Sequence, residues 1–319
     1  MNRRQLLSVT ATGLATMAGL RASAGADQPA RLVFVHGRSQ QGFDPAVLKA
    51  IWLETLKRGA AKLNRTLPGS LDVAFPFYGD KLDDFARQFE LPLTTDIQTK
   101  GSGVDSDFLN FQADVAEQMR SKAGVSDAEV QKEFGPNPTE KGPQNWAWVQ
   151  AIIRAIDRNA GGVSQSFIEK FMRDVYLYTS QPGVQDAIDN LVATEIDERP
   201  CVIVAHSLGS VIAYHVLRTD RRALNVRAFV TVGSPLAIRA IRDRFRPIGF
   251  PSKTRSWYNA FDPHDVVALY PLDSTNFPVT PAVENYGKVL NATDNRHGVV
   301  GYLDDADVAA HVLDALGSA

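Results

Sequence analysis

The sequence predicts an α/β fold built on a mostly parallel sheet, and two observations carry this. Apolar runs of strand length recur along the chain with helical patterns between them, and runs without alternation suit strands covered on both faces. One such run, Cys201 to Ala205, breaks abruptly at His206-Ser207-Leu208-Gly209. An amphipathic stretch with Val211, Ile212, Ala213, Val216 and Leu217 follows at once, so strand, sharp turn and helix succeed one another within a few residues.

In chain order, Arg31 to Gly37 is a short apolar run ending in a turn, the first buried strand. Asp44-Pro45 supplies an N-cap and a first-position proline for a helix carrying Val47, Leu48, Ile51, Trp52 and Leu56. Leu71 to Phe77 is the next strand, stopped at Pro76 and Tyr78-Gly79-Asp80. Residues 78–200 then exceed by far the dozen or so that a simple crossover needs. Helical patterns fill this segment over about Asp107–Lys122, Asp127–Phe134, Trp146–Asn159, Gln165–Tyr178 and Pro182–Ile196. Breaks fall at Pro136 to Pro143 and at Gly161-Gly162. The last of these helices reads as the crossover into the Cys201 strand, and residues 91–180 as an inserted helical cap. Its aromatic residues (Phe108, Phe111, Trp146, Trp148, Phe167, Phe171, Tyr176) are expected mainly to form its own core, with a minority facing a substrate channel.

Beyond the helix after Ser207, Val226 to Pro235 is another buried strand with a glycine-proline stop. A basic connection (Arg239, Arg242, Arg244, Arg246) suits a solvated helix face, or else a contact with an anionic partner. Ser256 to Phe261 is the fifth strand, Lys288 to Asn291 a last short one, and a final helix is expected from about Asp304 to Leu316.

Composition narrows the class. The chain has 319 residues, a formal charge of −2 and ordinary apolar content, which leaves no basic footprint for nucleic acid. Its single cysteine, Cys201, has no intramolecular disulfide partner and sits in an apolar run, as a buried inert thiol does. Arg3-Arg4 precede an uncharged stretch from Gln5 to Leu20, and Ala22-Ser23-Ala24-Gly25-Ala26 offers cleavage after Ala24 or Ala26. Residues 1–26 therefore read as an export signal. Asn2 to Leu7 is similar to the twin-arginine type, a general secretory signal being the alternative. The stretch is too short and too rich in Ser, Thr and Gly to span a bilayer. The mature chain, 27–319, is expected outside the cytoplasm, periplasmic or secreted, with no stable membrane span.

The chemistry centres on Ser207. A-H-S-L-G departs from the nucleophile-elbow pattern G-x-S-x-G only at Ala205, and alanine is the next smallest side chain after glycine. Small residues two before and two after the serine let strand and helix approach without collision. A serine hydroxyl is a weak nucleophile and needs a base, itself oriented by a third group. Asp262 and Asp265 follow the fifth strand, and six histidines compete for the base. His36 and His206 lie beside other turns, and His311 lies on the terminal helix. His215 is about 12 Å along the helix from Ser207 at ~1.5 Å per residue. His264 adjoins the two acids, and His297 sits in a loop after the last strand candidate. No H-E-x-x-H, paired C-x-x-C or P-loop is present. Gly101-Ser102-Gly103 follows no strand and reads as a loop, and an Asp262/His264/Asp265 metal cluster is the minor alternative to acid and turn roles.

With VFVHG, AHSLG, VTVGSPL, WYNAFDPHDVVA and NRHG in this order, the chain from about Arg31 to Leu316 resembles the α/β-hydrolase superfamily, most closely its exported bacterial lipase- and esterase-like serine hydrolases. The resemblance implies an α/β-hydrolase fold with the helical cap inserted before the nucleophile strand. It further implies Ser207 as nucleophile, His297 as base, and Asp265 as acid, with Asp262, a turn residue before Pro263, as the alternative. Oxyanion donors would be the backbone N–H of Leu208 and one from the loop after His36-Gly37, Arg38 or its neighbour Ser39. The expected reaction is cleavage of a small-molecule or lipid-like carboxylic ester through an acyl-enzyme, without cofactor or metal. An amidase or peptidase using the same triad is one alternative; a catalytically silent binding protein on the same scaffold is the other.

Overall fold

The computed structural model describes residues 30–93, 106–135, 146–159 and 163–317. The signal read at residues 1–26, the breaks at 136–143 and 161–162, and the loop at 101–103 lie outside these. Six strands, β1 (Arg31–Val35), β2 (Val73–Ala74), β3 (Pro200–His206), β4 (Asn225–Val232), β5 (Trp257–Ala260) and β6 (Glu284–Tyr286), form one sheet in the order β2-β1-β3-β4-β5-β6. Every pairing is parallel. Phe34 lies opposite Val204, Val35 opposite Ala205, and His206 opposite Val232.

Helices cover both faces, as the unbroken apolar strands require. Val33, Val35, Ile203 and Ala205 face one core. This core is shared with α7 (Pro182–Thr194), α8 (Leu208–Thr219) and most of the segment between β2 and β3, namely α2 (Gly79–Gln88), α3 (Ser106–Lys122), α4 (Asp127–Phe134), α5 (Trp146–Asn159) and α6 (Gln165–Ser180). The alternate residues Leu32, Phe34, Val202, Val204, Val230 and Val232 face the other core. There they meet Trp52 and Leu56 of α1 (Pro45–Ala61), Tyr302 and Leu303 of α10 (Val299–Leu303), and α11 (Ala306–Leu316). A short α9 (Arg239–Arg242) follows β4. The molecule is thus an α/β structure with a six-stranded parallel sheet between two helical layers.

Local chemistry explains the boundaries. The Asp44 carboxylate accepts the Ala46 N–H at 2.7 Å and Pro45 opens α1. Ser126 and Glu129 form a reciprocal capping box at the start of α4. Asp305 caps α11, and Gly317 closes it in the left-handed conformation.

Two expectations are corrected. The last strand is Glu284–Tyr286 rather than Lys288–Asn291. The apolar pair Val289-Leu290 lies outside the sheet, Leu290 is exposed, and the Asn291 N–H goes to the Asp262 carboxylate at 2.9 Å instead of a strand. The terminal helix runs Ala306–Leu316, as expected, with a separate turn of helix, α10, before it. The second strand is only Val73–Ala74 rather than Leu71–Phe77, and a helix the sequence pattern does not announce, α2, begins at Gly79, where a Cβ would lie 2.9 Å from the Gln40 carbonyl carbon. In the basic connection, Arg242 and Arg246 bond to Asp243 and Arg244 to Asp107, so acidic partners within the chain already hold three of the four cations.

The tightest approach of a described glycine to backbone is at Gly209, in the first turn of α8, where a Cβ would be driven into the carbonyl oxygens of Val35 and His36. Gly209→Ala is expected to cost about 3 kcal/mol or more, measured as a lowered denaturation midpoint; a midpoint within about 0.5 kcal/mol of wild type contradicts the packing described.

Candidate active site

Ser207 stands between β3 and α8 at φ 53°, ψ −128°, a conformation that costs an L-residue on the order of 1–3 kcal/mol. Its surroundings hold it there. Ser207 N–H donates to the Val232 carbonyl at 3.2 Å. Ser210 Oγ donates to the Ser207 carbonyl at 2.6 Å and lies 2.8 Å from Ser234 Oγ. A Cβ on Gly37 would come within 3.0 Å of Ser207 Cβ, so the loop after β1 passes directly beside the serine. Leu208, the first residue of α8, has its N–H among those with no intrahelical acceptor.

Three of the residues singled out by sequence meet here. His297 Nε2 is 2.8 Å from Ser207 Oγ, and His297 Nδ1 is 2.7 Å from Asp265 Oδ2. An ionised carboxylate only accepts, so Nδ1 carries the hydrogen and Nε2 is left with a lone pair toward the serine hydroxyl. Asp265 Oδ1 accepts the Val267 N–H at 2.8 Å, and Oδ2 also accepts the Tyr302 hydroxyl at 2.5 Å. Ser207 is 1% exposed and His297 4%. Phe167, on α6, packs edge-on to the imidazole at 5.8 Å. The other aromatics named in this segment are buried in its core.

Asp262 is equally buried but serves a different structure. Its Oδ1 accepts the His264 N–H at 2.8 Å and its Oδ2 the Asn291 N–H at 2.9 Å. The Asn291 amide then donates to the Gly298 carbonyl and accepts from Thr293. This chain of bonds frames the loop that presents His297. Asp262 does not touch the imidazole; it ties down the loop on which the imidazole stands.

The remaining histidines separate by environment. His36 Nε2 accepts the Tyr78 N–H at 3.1 Å, so its Nδ1–H donates to the Gly37 carbonyl at 2.6 Å. A trans peptide sets N–H opposite C=O, so this bond fixes where the Arg38 N–H points. Burial lowers His36 from 6.5 to about 4. His206 Nε2–H donates to the His297 carbonyl at 2.7 Å, its ring centroid is 4.8 Å from that of His297, and burial holds it well below 6.5. His215 pairs with Asp189, His264 is mostly exposed, and His311 stacks on Tyr258. Burial pushes the Cys201 thiol up to about 12.

Arg38 enters through its side chain as well. Its guanidinium is 2.9 Å from the Asp174 carboxylate of α6, both side chains 7% exposed, and it lies over the Phe167 ring. Tyr302 and Asp174 were not assigned to the site by sequence, because no spacing rule links them to Ser207, whereas His206 was considered only as a base and Phe167 only as one of the segment's aromatics. The nearest signal is the position of Tyr302 five residues after His297. Among the described residues, no group of three or more His, Cys, Asp or Glu side chains is placed to hold a metal ion, and no helix is long and apolar enough to cross a membrane.

Burial of neutral His36 ties stability to pH. Its native value lies below its unfolded one, so stability is complete above about pH 6.5. It falls as pH drops toward 4, because only the unfolded chain takes up the proton in that window. The loss from this group is about 3 kcal/mol, and His36→Gln is expected to flatten the pH dependence of the urea midpoint between pH 6.5 and 4. No protein-family model, curated protein or solved structure matches this chain.

Proposed function

We propose that the protein is a serine hydrolase of α/β-hydrolase type that cleaves carboxylic esters through an acyl-enzyme. The observation that carries this is the His297 imidazole between Ser207 Oγ and Asp265 Oδ2, at 2.8 and 2.7 Å with all three groups buried. Ser207 follows β3, Asp265 follows β5 and His297 follows β6, so all three lie where parallel strands end, the usual place for a site in such a sheet. The order Ser…Asp…His is that of the α/β-hydrolases.

In this reading Ser207 Oγ attacks the ester carbonyl while His297 Nε2 takes its proton. Asp265 holds the imidazole in the tautomer with hydrogen on Nδ1 and balances the imidazolium. The proton passes to the departing alcohol, and His297 then activates water against the acyl-enzyme. The negative oxygen of each tetrahedral intermediate lies against the N–H groups of Leu208 and Arg38. Loss of one such donor typically costs a factor of about 10²–10³. The helices within residues 91–180 would act as a cap over this site. Phe167, set beside the base from α6, favours an apolar, acyl or lipid-like substrate over a small polar one. Residues 1–26 would deliver the enzyme to the periplasm or beyond.

A fluorophosphonate probe is expected to label wild type and not Ser207→Ala; equal labelling of both sinks the assignment. Asp265→Asn is expected to lower kcat by about 10³–10⁴ with little change in stability, whereas Asp262→Asn acts first on stability by loosening the Asn291 loop. A panel of p-nitrophenyl esters of rising acyl length, set beside anilides and peptides, distinguishes an esterase from an amidase.

A further inference from the structure

We infer that Tyr302 is a positioning residue for this site: its hydroxyl anchors the Asp265 carboxylate and draws off part of its charge, and so sets how strongly His297 holds a proton. The inference rests on the reading of Ser207, His297 and Asp265 as a triad and adds a fourth member to the chain.

The bonds leave the phenol little choice. Tyr302 Oη lies 2.5 Å from Asp265 Oδ2, the same oxygen that faces His297 Nδ1 at 2.7 Å. It also receives the Asp262 N–H at 3.3 Å. With that N–H on its lone pair and the carboxylate in front, its one hydrogen is committed to Asp265. Burial and the neighbouring Asp265 charge push the phenol well above its ordinary 10, so it stays a donor throughout the pH range of the enzyme. Two donors on one carboxylate oxygen compete for its electron density.

The surrounding fold makes room for this arrangement. Gly233, just after β4, has φ 59°, and a Cβ there would come 2.9 Å from Tyr302 Cε2 and 3.2 Å from His297 Cε1. Both rings pack against a position that a larger residue would close. The single turn of α10 carries Tyr302 back beneath the loop of His297. The titratable groups facing the phenol are Asp262 and Asp265 from the loop after β5, His297 from its own loop, and His206 at the end of β3, 6.1 Å between ring centroids. Because burial keeps His206 neutral, His297 is the group whose titration the phenol reaches through Asp265.

Tyr302→Phe keeps the ring and removes the bond. The carboxylate is then less firmly held, and its undivided charge stabilises the imidazolium more. The expected result is a fall of about ten-fold in kcat with KM within about two-fold. The acidic limb of kcat/KM moves to higher pH, and the NMR titration midpoint of the His297 ring moves with it. Replacing Tyr302 by 3,5-difluorotyrosine, a more acidic donor that retains the bond, is expected to shift limb and midpoint to lower pH, and it serves if the phenylalanine variant does not fold. A Tyr302→Phe protein with wild-type kcat, limb and imidazole midpoint overturns the inference even if its Tm falls, as does a difluorotyrosine shift to higher pH. Retention of activity in Ser207→Ala overturns the hydrolase reading instead; the imidazole midpoint, which needs no turnover, still decides the role of Tyr302.

Discussion

The geometry of the site depends on one close approach, that of the first turn of α8 to the end of β1. Gly209 lies so near the Val35 and His36 carbonyls that any side chain would part strand and helix. With the helix seated there, the chain has one residue in which to turn from β3 into α8, and Ser207 takes the strained φ of 53° as a result. That turn lifts the hydroxyl out of the sheet toward His297 and leaves the Leu208 N–H at a helix start. Strain at the serine, the donor beside it and the reach of its hydroxyl are three results of a single missing side chain.

The two aspartates after β5 show how environment divides identical chemistry. Three positions apart and both buried, they hold opposite sides of one problem. Asp265 meets the imidazole and the phenol; Asp262 meets two backbone N–H groups and fixes the loop from which the imidazole hangs. The histidines divide in the same way. Burial keeps His36 and His206 neutral, and each uses its N–H to hold a carbonyl, that of Gly37 or of His297 itself. Imidazoles that do not exchange protons serve here to place the one that bridges Ser207 and Asp265.

What could be read beforehand follows from how local each signal is. Strands β1, β3, β4 and β5 announce themselves as apolar runs because both faces are covered, and α1 announces itself through Asp44-Pro45. Ser207 was legible because the turn demands small neighbours within five residues. Strand β6 was not: Glu284, Asn285 and Tyr286 are partly exposed at the sheet edge and carry no apolar run, while the apolar Val289-Leu290 lies outside the sheet. Tyr302 escaped because its partner is a carboxylate 37 residues away in sequence, a distance no local pattern records. Arg38 was weighed for its backbone N–H alone; its side-chain bond to Asp174 arises only when α6 folds against the loop after β1.

That last bond has a bearing on how freely the protein can be rebuilt. Arg38 and Asp174 are 136 positions apart and almost fully enclosed. Losing Asp174 alone strands the buried Arg38 cation, at about 3–5 kcal/mol, whereas losing Arg38 alone leaves Asp174 with its second partner, Arg173, at 3.0 Å. Of the two positions, Asp174 is the one the pair holds fixed. The long helical segment between β2 and β3 is accordingly not an interchangeable module, since a graft taken from elsewhere would have to bring its own counter-ion for a residue that belongs to the scaffold.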